Sequence, residues 1–277
     1  MSFSIAVILS TYNSPALLER VLAGYAGQSR RDFEIVIADD GSGPATRELL
    51  ERARQQFGLR IVHAWQEDRG FRKCAALNRA IALASSDYLV FSDGDCIPHR
   101  DLVAIHATLA APGRFLSGGY LKLPQDVSER LSVEHVRAGQ ATEYAFLRNL
   151  GLPASLRLRT RLRAHGALAR LGDLLTPTRA SWNGHNSSCW RTDALRANGF
   201  DERMGYGGED REFGERLMNA GVRPVQIRFR APCVHLYHTR GYVDPLRLGQ
   251  NAAIRAETRR QRATVTEHGI RQSAPAP

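Results

Sequence analysis

Short apolar segments alternate with amphipathic helical segments through the first hundred residues, and this alternation limits the possible folds more than any other feature. Strands are predicted at 5–9, 33–38, 60–64 and 87–92, and helices at 16–27 and 44–57, with a third helix carrying Leu77, Ile81 and Leu83. Strand–helix units in series favour a parallel sheet with helices on both faces. The predicted fold class is therefore α/β, with a mainly parallel sheet flanked by helices.

Acidic residues follow two of the predicted strands. Asp39-Asp40 ends the second strand, and Asp93-Gly94-Asp95 ends the fourth. Side chains at i and i+2 of a strand point the same way, so Asp93 and Asp95 can face one site. Ligands of parallel sheets bind beyond the carboxyl ends of the strands, and divalent cations prefer carboxylate oxygens. The pattern predicts a cation-assisted ligand site at this edge, although an acidic turn exposed to solvent has the same local sequence.

The charge balance restricts the class of partner. The 277 residues allow one large α/β domain or two small ones, and 38 Lys+Arg against 28 Asp+Glu give a formal net charge of +10. Such a charge suits nucleic acid, a sugar nucleotide or an acidic membrane surface. A nucleic-acid-binding protein would interleave its basic residues with stacking aromatic residues, whereas here the arginines lie among leucines. We therefore expect no nucleic-acid partner.

Cysteine usage and hydropathy bear on the expected compartment. The four cysteines, Cys74, Cys96, Cys189 and Cys233, are far apart and form no Cys-x-x-Cys pair. Reduced, structural thiols are therefore predicted, as is usual in cytoplasmic proteins. The apolar residues after Met1 are typical of a first strand rather than a signal peptide, and no apolar run approaches the roughly 20 residues that cross a bilayer. We expect a cytoplasmic protein, at most peripheral at the inner face of the membrane.

The segment 120–180 is different, being long, helical and rich in arginine. Leucines recur at three-, four- and six-residue spacings with arginines between them: Leu158, Leu162, Leu168, Leu171 and Leu175, and Arg157, Arg159, Arg161, Arg163 and Arg170. Two interpretations stay open, the solvated face of an ordinary packed helix or a basic amphipathic surface that contacts anionic lipid. A basic helix is predicted from about Asp244, and the tail 273–277 is predicted to be disordered.

Four ordered motifs, unspecific one by one, are specific together. They are Val7-Ile8-Leu9-Ser10-Thr11-Tyr12-Asn13, Asp39-Asp40-Gly41-Ser42, Asp93-Gly94-Asp95 and Glu209-Asp210. Over roughly residues 3–240 the chain resembles the inverting glycosyltransferases of family 2, although Ser10 stands where proline is usual. The resemblance implies the GT-A fold, which is Rossmann-like, with a mixed, mainly parallel sheet flanked by helices. The resemblance implies a glycosyltransferase domain at 1–243, with a nucleotide-binding half at about 1–100 and an acceptor half at 101–243 containing a helical insertion at 125–180. A C-terminal helix and tail at 244–277 would follow.

The resemblance also implies how the donor and its metal are held. The loop residues Thr11, Tyr12 and Asn13 would line the donor site, and Asp39 would recognise the nucleotide base, with Asp40 nearby; the alternative is a turn in which the aspartates bond their own backbone. Asp95 would bind Mn²⁺ or Mg²⁺ directly, and Asp93 would contact the ribose, or the ion through water. A third protein ligand is expected at His238 or His235. A zinc site built on Cys233-x-His235-x-x-His238 would lack a second cysteine pair.

The acidic pair Glu209-Asp210 is predicted to open a helix after the glycines Gly205, Gly207 and Gly208. Acidic residues are common at helix N-termini because the helix dipole favours them there. The resemblance implies more, with Asp210 as the general base that takes a proton from the acceptor hydroxyl and Glu209 as a ligand of that acceptor.

Three further residues are expected to lie near the substrates. Arg72 and Lys73 would touch the pyrophosphate of the donor, since they follow the turn at Gly70. Asn186 would touch the donor sugar or the acceptor.

The resulting functional hypothesis is a metal-dependent glycosyltransferase of hexosyltransferase type. It would move one sugar from a nucleoside diphosphate sugar, with UDP favoured, to a hydroxyl of a glycan or lipid-linked acceptor in surface polysaccharide or lipopolysaccharide synthesis. The Gln-x-x-Arg-Trp signature of processive members is missing after Asp210, which favours a single transfer. Alternatives are a sugar-nucleotide-binding module without catalysis and a sugar-phosphate nucleotidyltransferase. The latter would need a glycine-rich, basic loop at 10–18.

Overall fold

The structure, a computed structural model, describes residues 3–239 and 244–273. Its main sheet has the strand order β3-β2-β1-β4-β8-β6-β9, and a smaller sheet has the order β5-β10-β7. The strands are β1 (Ile5–Thr11), β2 (Glu34–Asp39), β3 (Ile61–Trp65), β4 (Tyr88–Asp93), β5 (Cys96–Pro98), β6 (Arg114–Ser117), β7 (Tyr120–Lys122), β8 (Ser187–Trp190), β9 (Arg223–Gln226) and β10 (Cys233–His235). Strands β1 to β4 are parallel, whereas β8 runs antiparallel to its neighbours β4 and β6.

Helices cover both faces of the main sheet. They are α1 (Pro15–Ala26), α2 (Pro44–Phe57), α3 (Lys73–Leu83), α4 (Leu102–Leu109), α5 (Gln125–Arg130), α6 (Val133–Arg137), α7 (Tyr144–Asn149), α8 (Leu156–Arg163), α9 (Gly166–Leu175), α10 (Arg191–Arg196), α11 (Glu209–Asn219), α12 (Pro245–Gln261) and α13 (Ile270–Ser273). Among the described residues, no helix is long and apolar enough to span a membrane.

The side chains of β1 show why a sheet forms here. Ile5, Val7 and Leu9 pack into an apolar core with α1 and α2, while Ala6 and Ile8 pack into a second core with α3. All five are buried, as expected of a parallel strand with helices on both faces, which is apolar throughout rather than alternating. The predicted α/β class with a mainly parallel sheet is confirmed.

The smaller sheet connects the end of the chain to the acidic pair. Strand β10 pairs antiparallel with β5 and parallel with β7. The next residue, Leu236, donates its N–H to the carbonyl of Asp95 at 2.9 Å. This pairing brings His235 and His238 next to residues that lie about 140 positions earlier in the chain.

Two predicted elements differ from the structure. The residues at 225–229 predict a late strand, but β9 ends at Gln226, because the N–H of Phe229 donates to the Asp173 carboxylate of α9 at 2.7 Å instead of joining a ladder. The arginine–leucine segment forms two helices rather than one, and the second begins at Gly166 with a φ of +55°.

The remaining expectations about the chain have mixed outcomes. The four cysteines are buried and free, as predicted. The predicted C-terminal helix begins at Pro245. Residues 240–243 and 274–277, which include most of the tail predicted to be disordered, lie outside the described residues. The division into domains stays a prediction.

Candidate active site

A cleft of about 650 Å³ opens at the carboxyl ends of β1 and β4. Its lining includes these residues predicted from sequence: Thr11, Tyr12, Asn13, Asp40, Lys73, Asp93, Asp95, Glu209, Asp210, His235 and His238. Its volume is typical of a small-molecule site. Sheet topology therefore brings together side chains from the whole length of the chain.

Asp93 lies at the floor of the cleft. Its Oδ1 accepts hydrogen bonds from Lys73 Nζ at 2.8 Å and from Ser10 Oγ at 2.6 Å, because the β1–β4 register places Ser10 opposite Asp93. Burial by itself would raise the pKa of Asp93, but the Lys73 charge and these hydrogen bonds outweigh it and hold the pKa well below its ordinary value. Asp93 is therefore ionised.

Lys73 is the positive charge around which the carboxylates gather. Burial by itself would lower the pKa of Lys73, but the negative charges of Asp93, Asp210 and Glu209 outweigh burial and raise the pKa well above its ordinary value. The ammonium therefore stays charged, and it partly offsets the repulsion among the acidic side chains around it.

Asp95 faces two imidazoles. Its Oδ2 lies 3.0 Å from His238 Nε2, and its Oδ1 lies 3.7 Å from His235 Nε2. The Nδ1 atoms of both histidines contact backbone carbonyls, Leu236 O at 2.6 Å and Thr239 O at 2.9 Å. A carbonyl only accepts hydrogen bonds, so both Nδ1 atoms carry protons, and a neutral ring then points the Nε2 lone pair at the carboxylate.

This arrangement fits a divalent cation. Ligand atoms of Asp95, His235 and His238 lie within 4.8 Å of one another, and two lone pairs facing a carboxylate need a proton or a metal ion between them. The backbone contacts fix the ring orientation as in many metal sites. The Cys233 thiol instead contacts the carbonyls of Gly119 and His185, which argues against the zinc alternative.

Asp210 has the environment of a proton acceptor. It stands in the first turn of α11, and its Oδ1 is buried without a hydrogen-bond partner among the described residues. Burial, together with the charge of Glu209, raises the pKa of Asp210 to about 7. A Cβ on Gly184 would lie 2.9 Å from Asp210 Oδ2, so a larger residue there would require this carboxylate to shift. Glu209 is held by the N–H of Gly207 at 2.8 Å.

The two aspartates after β2 have different surroundings. Asp39 is fully buried, and its carboxylate accepts from the N–H of Ser42 at 2.8 Å and contacts His63 Nε2 at 2.7 Å. Asp40 lines the cleft, where its carboxylate accepts from Gln66 Nε2 at 2.6 Å and from a backbone N–H at 2.8 Å. Burial raises the pKa of Asp40. The geometry thus favours Asp40 over Asp39 for contact with a ligand.

Two other residues that were expected to contact the substrates, Arg72 and Asn186, are not among the described residues that line the cleft. The backbone N–H of Arg72 bonds Asp40. Asn186 is buried, and its amide nitrogen donates to the carbonyls of Gly119 at 3.0 Å and Ala231 at 2.7 Å. These bonds satisfy the amide inside the protein and hold the loop that leads into β8.

Sequence reasoning missed several cleft residues, of which His185 is the most informative. Its ring lies 4.2 Å from that of Tyr120, and both line the cleft. Burial lowers the pKa of His185 to about 4, so the ring is neutral at neutral pH. Phe71 and Tyr206 also contribute to the walls. His185 lies in the turn that leads into β8, next to the buried Asn186, and no motif marks this position.

Two segments of the chain match profiles of known protein families. Residues 6–127 match the profile described as "Glycosyl transferase family 2", and residues 178–239 match the profile described as "N-terminal domain of galactosyltransferase". The chain is 32% identical over 235 residues to validoxylamine A glucosyltransferase of Streptomyces hygroscopicus subsp. jinggangensis, covering 79% of this chain and 52% of that protein. It is 27% identical to hyaluronan synthase of Pasteurella multocida, covering 78% and 23%. The chain thus spans about half or less of the length of these relatives.

Solved structures share the fold. S. aureus TarS 1-349 in complex with UDP-GlcNAc superposes with a TM-score of 0.61 at 17% identity, covering 98% of this chain and 70% of that one. A mannosyltransferase from Pyrobaculum calidifontis in complex with GDP-Man and Mn²⁺ gives a TM-score of 0.57 at 24% identity, covering 87% and 59%. Both likenesses concern the arrangement of the sheet and its helices, which is that of the GT-A fold.

Proposed function

Because the chain belongs to glycosyltransferase family 2 and has the GT-A fold, we propose that it transfers one sugar, with inversion, from a nucleoside diphosphate sugar to a hydroxyl of a glycan or lipid-linked acceptor. The observation that carries this proposal is the convergence of Lys73, Asp93, Asp95 and Asp210 in one cleft. A UDP-sugar is the favoured donor, and relatives that synthesise polysaccharides support a role in surface polysaccharide or lipopolysaccharide synthesis.

The donor nucleotide would lie between the ends of β1 and β2. We assign recognition of the base to Asp40, since it lines the cleft, and a carboxylate accepting an imide N–H makes a strong, charge-assisted hydrogen bond. The buried Oγ1 of Thr11 has no partner among the described residues and is available to the nucleotide. Asp93, with Oδ1 bonded to Lys73, would use its other oxygen for the ribose.

Asp95, His238 and His235 would hold the divalent cation, Mn²⁺ or Mg²⁺. When bound there, such an ion neutralises the charge that develops on the diphosphate as it leaves. The chain contributes the orientation of these ligands, because the backbone carbonyls fix both imidazoles and β10 fixes their distance from Asp95.

Asp210 would act as the general base. Its carboxylate would take the proton of the acceptor hydroxyl while that oxygen attacks the anomeric carbon opposite the diphosphate, and one such displacement inverts the centre. A pKa of about 7 matches a base that works near neutral pH, and Lys73 stabilises its ionised form. Glu209 would orient the acceptor.

The alternatives have less support. A binding module without catalysis would not need a buried carboxylate oxygen lacking a partner in the described part of the chain, as at Asp210. A nucleotidyltransferase would need basic and glycine-rich residues after β1, where Tyr12, Asn13 and Ser14 stand instead.

The acceptor side of the molecule supports a peripheral contact with an anionic membrane. Helix α9 buries Ala169 and Asp173 and exposes leucines on its opposite side, with Leu168 70% and Leu174 81% exposed. An exposed apolar face beside exposed arginines is typical of helices that lie on lipid headgroups. Such a contact would bring the cleft to a membrane-borne acceptor.

The donor half of the proposal is tested by metal-dependent release of nucleoside diphosphate from a panel of nucleotide sugars. We expect release with Mn²⁺ or Mg²⁺ and none with chelator, and loss of metal-dependent UDP binding in Asp95→Asn. Asp32→Asn is the matched control, since its exposed carboxylate pairs with Arg30 on the surface. Equal UDP binding by Asp95→Asn with Mn²⁺ and with chelator, and activity within about threefold of wild type, would exclude the metal assignment.

A further inference from the structure

A group of arginines lies beside the cleft, and no group of carboxylates matches it among the described residues. Arg157 and Arg161 belong to α8, and Arg228 follows β9. Arg161 is only 7% exposed, and its Nη1 contacts the carbonyl of Tyr120 at 3.4 Å. The Nε atoms of Arg161 and Arg228 are both buried without a hydrogen-bond partner in the described part of the chain.

These three guanidinium groups are close enough to repel one another. Burial, and then the charges of Arg228 and Arg157, lowers the pKa of Arg161 to about 10. Burial and the charge of Arg157 likewise lower the pKa of Arg228. The charge of Asp173 acts on Arg228, but this carboxylate is already engaged by the N–H of Phe229 at 2.7 Å and by Arg230 Nε at 2.6 Å.

Strand β7 joins the arginine group to the cleft. Tyr120 contacts Arg161 through its carbonyl, while its ring lines the cleft and packs on His185. Arg228 lies so close to Gly119 that a Cβ there would approach its Cγ to 2.7 Å. A fourth cation, the Lys122 ammonium, lies 6.0 Å from the centre of the Tyr120 ring.

A buried cation without a counter-charge destabilises a protein, so such a group is expected where a ligand supplies the missing charge. The guanidinium fork matches the oxygens of a phosphoryl group, and two or three arginines together are typical of phosphate recognition. The donor diphosphate belongs at the other group of charges, around Asp93, Asp95 and Lys73.

We propose that Arg157, Arg161 and Arg228 bind a phosphoryl group carried by the acceptor. The anion-binding part of this proposal stands independently, and its assignment to the acceptor rests on the proposed glycosyltransferase function. The acceptor class is then a phosphate-bearing molecule, either a lipid phosphate or diphosphate or a soluble phosphorylated glycan.

The test measures binding of inorganic pyrophosphate to the full chain by isothermal titration calorimetry, with chelator present to prevent metal-dependent binding at the donor site. The double variant Arg161→Gln/Arg228→Gln should bind at least about tenfold more weakly than wild type, since each lost charge-assisted contact has an effect of that order. Arg196→Gln/Arg260→Gln removes the same charge from exposed side chains, 82% and 71% exposed, and should bind like wild type.

Two additions make the test decisive. If the double variant does not fold, Arg157→Gln replaces it, because that side chain is exposed and its loss should still weaken pyrophosphate binding about threefold or more. Vesicles containing phosphatidic acid identify the source: weaker sedimentation of the arginine variants indicates a lipid phosphate, and unchanged sedimentation a soluble one. Pyrophosphate binding equal to that of the control variant overturns the proposal, and donor hydrolysis is unaffected by that outcome.

Discussion

At the scale of single residues, the cleft depends on opposite perturbations of neighbouring carboxyl groups. The pKa of Asp93 is held well below its ordinary value because Lys73 and Ser10 bond it, while burial and Glu209 raise that of Asp210 to about 7. One carboxylate is therefore permanently charged beside the cation ligands, and the other can gain and lose a proton. Titratable groups whose pKa values diverge in one cleft mark acid–base chemistry.

The substitution Asp210→Asn tests the base. It preserves size and position at the start of α11 but cannot accept a proton, so turnover should fall on the order of 10²-fold or more while the affinity for UDP stays unchanged. Asp126→Asn, an exposed acid in the first turn of α5, is the control for the helix start. If UDP affinity and turnover fall equally, Asp210 binds the donor or stabilises the fold and is not the base.

The same variant also predicts a pH profile. Because the base acts only when ionised and the pKa of Asp210 is about 7, wild-type turnover should rise with pH through about 7 and level off above it. Asp210→Asn should lack that rise. A wild-type rate that is flat from about pH 5 to about pH 9 would contradict the assignment.

At the scale of elements, α12 holds the glycine loop that precedes α11. Asn251 Nδ2 lies 3.0 to 3.1 Å from the carbonyl oxygens of Gly205, Tyr206 and Gly207. A Cβ on Gly207, whose φ is +105°, would approach a methyl group of Leu248 to 2.3 Å. Since the N–H of Gly207 bonds Glu209, α12 positions the acidic pair without itself supplying a carboxylate to the cleft lining.

We expect Asn251→Ala to loosen this loop. Loss of the amide leaves buried carbonyls without a donor, at about 1–3 kcal/mol of unfolding free energy, and should lower turnover and acceptor affinity while UDP affinity is kept. Thermal unfolding and steady-state kinetics with both substrates varied separate these effects. Gln250→Ala, exposed on the same helix, is the control. If turnover per folded molecule is unchanged, the helix has only a stabilising role.

At the scale of the whole molecule, positive charge and apolar surface lie together on α8 and α9, which belong to the proposed acceptor half. Between 156 and 179 there are six arginines, Arg157, Arg159, Arg161, Arg163, Arg170 and Arg179, and one acidic residue, Asp173. That aspartate is buried and paired with Arg230, so the exposed surface of the segment is basic. Leucines on α8 and α9 expose between 50% and 81% of their area: Leu156, Leu168, Leu171, Leu174 and Leu175. Exposed leucines beside exposed arginines are the basis for the proposed membrane contact.

Sedimentation with vesicles tests the membrane contact. Each basic residue near an anionic surface contributes about 1 kcal/mol, so binding should rise with anionic lipid content and weaken with salt. Replacing the exposed Arg159, Arg163, Arg170 and Arg179 by glutamine should abolish it, whereas the same change at Arg47, Arg52, Arg196 and Arg260 should have little effect. Wild-type protein that stays in the supernatant at low salt with strongly anionic vesicles would exclude the contact.

The sequence by itself determined the fold class and the acidic residues of the cleft. The period of the apolar segments fixes β1 to β4 as buried parallel strands, and such strands must place Asp93, Asp95 and the acidic turn after β2 at one edge of the sheet. The resemblance of four motifs added Glu209 and Asp210, which also line the cleft. These features follow from local patterns, because a strand that is buried on both faces is apolar at consecutive positions.

Only the tertiary structure decided which side chains face the cleft and which form hydrogen bonds inside the protein. Asp40 rather than Asp39 lines the cleft, and His185 does so while Asn186 bonds backbone carbonyls inside the protein. The outward leucine face of α9 is likewise set by a distant contact, that of Asp173 with the turn after β9. Orientation depends on register and on partners far away in the chain, and a one-residue shift reverses it, so no local pattern contains this information.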